Sequence, residues 1–111
     1  MPPVLEIRTY TLHPGTAAQF DRLFHEQAVP LLQAAGTDVV TARASLHDPD
    51  SYVLMRAYAS LAERDTSQDR FYGSAAWREG PREAILECIA HYTSVVIEAD
   101  ADLLASLRRR S

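Results

Sequence analysis

Glu6, Arg8 and Tyr10 stand at alternate positions of the segment Leu5-Glu6-Ile7-Arg8-Thr9-Tyr10-Thr11-Leu12, and Arg56 and Tyr58 repeat the Arg-x-Tyr spacing later in the chain. Residues two apart on a strand project from the same face, so this spacing lines up a carboxylate, a guanidinium and a phenol. In a cavity, Arg8 could receive an anionic or enolate oxygen and Tyr10 could donate a hydrogen bond to it. The alternative is that Glu6 and Arg8 pair with charges on neighbouring strands or on a partner subunit, since a buried arginine is costly without one. If the strands carrying Arg8 and Arg56 are adjacent, two guanidiniums approach each other. They then need an anion between them, either a carboxylate ligand or Glu6.

The remaining candidates are weaker. His91, beside Tyr92, is the titratable group best placed for proton transfer or axial haem ligation, set against a purely structural role. His13 and His47 fall in turns, His25 lies beside Phe24 on a helix, and the four histidines show no metal-ligand spacing, so no metal is expected. Cys88 lies on an apolar helical face and reads as a small core residue. Trp77, with Phe71 and Tyr72, forms either an aromatic lid over a cavity or a hydrophobic plug between helices. There is no glycine-rich phosphate cradle and no Gly-x-Ser-x-Gly elbow, which removes nucleotide-binding and serine-hydrolase readings.

Composition narrows the setting. A chain of 111 residues with 47% hydrophobic content is one globular domain, with a core from about residue 4 to 98 and a tail from 99 to 111. The chain has eleven arginines and no lysine, so Schiff-base chemistry and a phosphate-loop lysine are excluded. A formal charge of −4, with basic residues clustered only at Arg108-Arg109-Arg110, argues against nucleic acid. A single cysteine, no basic-then-apolar leader and no long apolar run point to the cytoplasm, away from any membrane.

The elements that must position these residues follow from periodicity. A strand covers about Val4 to Leu12, and Pro14-Gly15 turns the chain into a helix capped by Thr16. Its apolar face is Phe20, Leu23, Phe24, Leu31 and Leu32, with a bend at Pro30 and an end at Gly36. A second strand spans about Thr37 to Leu46 and a third Tyr52 to Ala59, forming a hairpin through His47-Asp48-Pro49-Asp50-Ser51. Ser60-Leu61-Ala62-Glu63 is spaced as a capping box for the next helix. The chain breaks near Gly73, restarts at Gly80-Pro81 with Ala84, Ile85, Cys88 and Ile89 inward, and forms a fourth strand from His91 to Ile97. Leu103, Leu104 and Leu107 share one face of a short terminal helix.

Strand, helix, strand, strand, helix, strand is the α+β, ferredoxin-like split βαβ order, a four-stranded antiparallel sheet with helices on one face. Alternation assigns Leu5, Ile7, Val53, Met55 and Ala57 to the face under the helices. Glu6, Arg8, Tyr10, Tyr52, Leu54, Arg56 and Tyr58 then fall on the open face. For strand two it cannot choose between Val39, Thr41, Arg43 and Ser45 and their complement. An open face so aromatic and so charged is expected to pair with a second copy around an internal cavity.

Glu6-Ile7-Arg8-Thr9-Tyr10-Thr11-Leu12 followed by Pro14-Gly15, then Ala28-Val29-Pro30-Leu31-Leu32, Ala57-Tyr58-Ala59-Ser60-Leu61-Ala62-Glu63-Arg64 and the Trp77 segment resemble the NIPSNAP family from about Leu5 to Ile97. The resemblance implies a dimeric α+β barrel, the architecture of antibiotic-biosynthesis monooxygenases, some relatives of which handle haem; it supplies no catalytic set. The expectation is a homodimer that needs no cofactor and binds a small apolar or anionic organic molecule in its lumen. Such a protein could act as a monooxygenase or isomerase. Arg8, Tyr10, Arg56 and His91 are its candidate catalytic groups, and Glu6, Arg8, Tyr10, Tyr52, Arg56, Tyr58 and Trp77 its ligand-binding set. The alternatives are a ligand-binding protein without turnover and a structural interaction module whose sheet face is filled by its partner.

Overall fold

The computed structural model describes residues 2–109. Four strands, β1 (Val4–Leu12), β2 (Asp38–Ala44), β3 (Ser51–Tyr58) and β4 (Ile89–Glu98), form one antiparallel sheet in the order β2-β3-β1-β4. Both neighbours of the central strand are fixed by register. Glu6 lies opposite Arg56 on β3 and opposite Val96 on β4. The helices are α1 (Ala17–Leu23), α2 (Val29–Ala34), α3 (Leu61–Tyr72), α4 (Ala75–Arg78), α5 (Arg82–Leu86) and α6 (Ala101–Arg108). This is the ferredoxin-like α+β order expected from the strand and helix sequence.

Between α1 and α2 the backbone widens into a π-turn at Phe24–Ala28, closed by the Val29 N–H on the Phe24 carbonyl. Pro30, within the first turn of α2, is the local cause: it has no N–H to give the preceding turn. The bend expected there is therefore a change of helical pitch. Gly36, at φ +88°, ends α2 in a left-handed conformation. The Thr37 N–H reaches the Leu32 carbonyl at 2.9 Å and the Gly36 N–H the Gln33 carbonyl at 3.0 Å, a paired closure that caps the last carbonyls. At the start of α3 the Ser60 hydroxyl accepts the Glu63 N–H at 3.1 Å. The Glu63 carboxylate accepts the Ala59 N–H at 3.1 Å, completing the capping box one residue further back than usual.

The assignment of sheet faces is overturned. The helices cover the face carrying Glu6, Arg8, Tyr10, Tyr52, Leu54, Arg56 and Tyr58, all of them buried. Tyr10, Phe20, Phe24 and Tyr52 pack ring against ring, with Phe20 and Tyr52 centroids 4.9 Å apart. Aromatic rings bury more area than the Val53–Met55–Ala57 set can, and the charges on the same face neutralise one another, so the mixed face makes the better core. The opposite face presents Ile7, Thr9, Val53, Met55, Thr93 and Val95, the last more than half exposed. Strand two does not alternate throughout. An irregularity between Val39 and Thr41 puts Val39 and Ala42 beside Arg56 and Leu54, and Thr41 and Arg43 on the open face.

In α6, Asp100 caps the Leu103 N–H, and Arg108 pairs with Asp38 at the start of β2, so the tail returns to the sheet. Arg110 of the arginine cluster lies outside the described residues. No helix among the described residues is long and apolar enough to cross a membrane.

Candidate functional site

The carboxylate of Glu6 is the centre of the buried polar network. Oε1 accepts from Arg56 Nε at 2.9 Å, Arg56 Nη2 at 2.6 Å and Gln68 Nε2 at 2.8 Å. Oε2 accepts from Arg8 Nη2 at 3.0 Å, Arg64 Nη2 at 2.8 Å and the Ser94 hydroxyl at 3.1 Å. Six donors on one carboxylate saturate its lone pairs. Burial alone would push this carboxyl up. The charge of Arg56, the hydrogen bond from Arg64 and the charge of Arg8 outweigh it and hold the group at about 2. Glu6 is thus the anion that the two strand arginines require, as one sequence reading allowed.

One carboxylate does not balance three guanidiniums. Asp65 offsets Arg64 from the surface at 3.0 Å, but Arg8 and Arg56 share Glu6. Arg8 also donates Nε to Ser94 at 3.0 Å and stacks over the Tyr92 ring at 4.6 Å. Tyr72, from the end of α3, accepts Arg56 Nη1 at 2.8 Å and, more weakly, Arg8 Nη1 at 3.4 Å.

Arg8 and Tyr72 form the polar end of a cavity of about 640 Å³ between the sheet and α2–α5. Tyr10, Phe24, Leu32, Phe71, Trp77 and Ile85 supply most of its apolar wall, and Arg82 and Tyr92 also line it. Such a volume suits a molecule of two or three fused rings. Burial raises Tyr10 to about 12, so it enters this wall as a neutral phenol. Trp77 is both plug and wall: it packs on Phe71 and Tyr72 at 5.5 and 5.4 Å and faces the cavity.

The structure brings Arg8, Tyr10, Trp77 and His91 of the expected set onto this cavity, and sets the others apart. Glu6 and Arg56 lie behind Arg8 as its counter-charge and support. Tyr58 accepts from Gln68 at 3.2 Å beside them, and burial raises its phenol. Tyr52 is on the far side of the aromatic core, donating to Asp21 at 2.6 Å; burial, then that carboxylate, raises its pKa. His91 lines the cavity, and its ring also shares a hydrogen bond with Thr11 at 3.4 Å. Cys88 is buried, and burial raises its thiol.

Tyr72, Arg64, Gln68 and Ser94 belong to the network and were not foreseen. The helical spacing of Arg64, Gln68 and Tyr72, four residues apart on α3, was the signal for three of them. No cluster of three or more potential metal ligands occurs among the described residues.

The NIPSNAP family model matches residues 5–97. Among solved structures, an uncharacterized NIPSNAP-like domain protein from Burkholderia xenovorans superposes with a TM-score of 0.80 at 17% identity, over 89% of this chain and 86% of that one. A NIPSNAP family protein from Agrobacterium tumefaciens gives 0.81 at 15% identity, over 94% and 91%. A Caulobacter crescentus protein provisionally assigned as an antibiotic biosynthesis monooxygenase gives 0.67 at 17%, over 89% and 91%, a likeness of fold. No curated protein matches the sequence. With the family model spanning most of the chain and the same fold in its members, this chain belongs to the NIPSNAP family.

Proposed function

We propose that the protein binds a small, flat organic molecule of aromatic or polyketide-like character, with an anionic or enolisable oxygen directed at Arg8. The observation that carries this reading is the excess of positive charge on a cavity whose wall is mostly apolar: Arg8 and Arg56 share a single buried carboxylate, and Arg82 lines the cavity too. Such a site stabilises an enolate or phenolate, the step on which a cofactor-free oxygenase or isomerase depends, with the substrate carbanion supplying the electrons. No carboxylate among the described residues lines the cavity, which favours substrates that ionise readily over those needing a strong base.

The same reading places a second copy on the open sheet face, where Ile7, Met55 and Val95 form an apolar strip, and places the chain in a reducing cytoplasm. The monooxygenase-like fold of the Caulobacter protein supports an oxygenase chemistry as the first to assay. Calorimetric titration with 2-naphthol, alongside native mass spectrometry of the purified protein, tests the binding. Saturation at one site per chain is expected. Neither heat nor retained mass would sink the reading in favour of an interaction module.

A further inference from the structure

Counting the hydrogens of the network leaves two donors unspent at the cavity. Arg8 commits Nε to Ser94, Nη2 to Glu6 and Gln68, and one Nη1 hydrogen to Tyr72, so by geometry its second Nη1 hydrogen is left over, with the Tyr10 phenol close enough to feel the guanidinium. Tyr72 accepts from two guanidiniums, at 2.8 and 3.4 Å, and its own hydroxyl donates to no described residue. With both Arg N–H groups arriving at its oxygen, the Tyr72 O–H must point away from them. Tyr72 and Arg8 both line the cavity.

We propose that the Tyr72 hydroxyl and the free Arg8 Nη1 hydrogen converge on one ligand oxygen, making this end of the cavity a single-oxyanion receptor selective for phenolates and enolates. The inference rests on the binding reading above and adds the atom class and the second donor. A fork of two guanidinium hydrogens would suit a carboxylate. One guanidinium hydrogen and one hydroxyl, on groups 3.4 Å apart, suit a lone oxygen. Arg56 acts through Tyr72, holding its ring and aiming its proton. A bound phenol then ionises more readily than in water, its proton leaving to solvent and its oxygen keeping the electron pair between the two donors.

The test uses 4-nitrophenol, whose ionised form is read from its absorbance, and its methyl ether 4-nitroanisole, which cannot ionise. In the wild-type protein the bound phenol is expected to ionise about one pH unit lower than free. Tyr72→Phe is expected to lose most of that shift while leaving 4-nitroanisole affinity within about twofold. Equal losses for both probes would reduce Tyr72 to a structural role and overturn the assignment. Ionisation of the bound phenol at its solution value in the wild-type protein would overturn it without any variant. Failure of the wild type to bind either probe would overturn the binding reading itself.

Discussion

Arg56 holds one oxygen of Glu6 with two N–H groups, Nε at 2.9 Å and Nη2 at 2.6 Å, from directly across the β1–β3 ladder. Both residues are fully buried. The pair is the anchor on which Arg8, Arg64 and Tyr72 are arranged, so its loss reaches the cavity as well as the core.

Glu6→Gln is expected to destabilise the fold by about 3 kcal/mol or more, because three guanidiniums then lose the one buried counter-charge they have among the described residues. Urea unfolding monitored by circular dichroism measures it. A change of the midpoint small enough to match a surface substitution would show that the network is solvated in solution.

The same carboxylate sets an acid limit. Its folded pKa of about 2 lies below the ordinary 4.5, so the stability it contributes is complete above about pH 4.5 and is lost as the pH falls toward 2. The shift corresponds to about 3 kcal/mol. Other carboxylates also titrate in this range, so the measurement is the stability difference between wild type and Glu6→Gln. That difference is expected to shrink on going from about pH 5 to pH 2.

Trp77 is the single tryptophan and lines the cavity. Filling the cavity is expected to change its fluorescence saturably, in step with calorimetric binding of 2-naphthol. A ligand that binds by calorimetry and leaves the emission untouched has bound elsewhere.

Val95, opposite Ile7 and 58% exposed, sits on the strip assigned to a second copy. Val95→Arg is expected to convert a dimer into a monomer in analytical ultracentrifugation with little loss of monomer stability. A wild-type monomer at micromolar concentration would remove the paired-sheet arrangement.

Much of this was legible in the residues. Alternation over Val4–Leu12 and the Ser60–Glu63 spacing gave the central strand and the α3 cap, because both are local patterns with local causes. Which face of β1 meets the helices was not legible. Alternation separates Glu6 from Ile7 but carries no sign, and the sign comes from cross-strand pairing of Glu6 with Arg56. Apolarity favoured the wrong face because the pairing that makes charge compatible with burial is not a property of either strand alone. Tyr72 was read only as part of an aromatic cluster. Its role depends on α3 lying across β1 and β3, which brings it to Arg56, sixteen residues away in sequence.

The π-turn has a consequence for chain length. Phe20, Phe24, Ala28 and Leu32 are all buried at a constant spacing of four. In an uninterrupted α-helix each such step overshoots a full rotation by about 40°, and the stripe would wind off the sheet. The wide turn takes back that excess. A relative one residue shorter between Phe24 and Pro30 would carry a plain helix there: seven residues turn about 700°, so Leu32 would stay within about 20° of the direction of Phe24 and keep its place in the cavity wall. The same buried stripe can therefore be built at either of two chain lengths, the wide turn absorbing the extra residue without moving the wall.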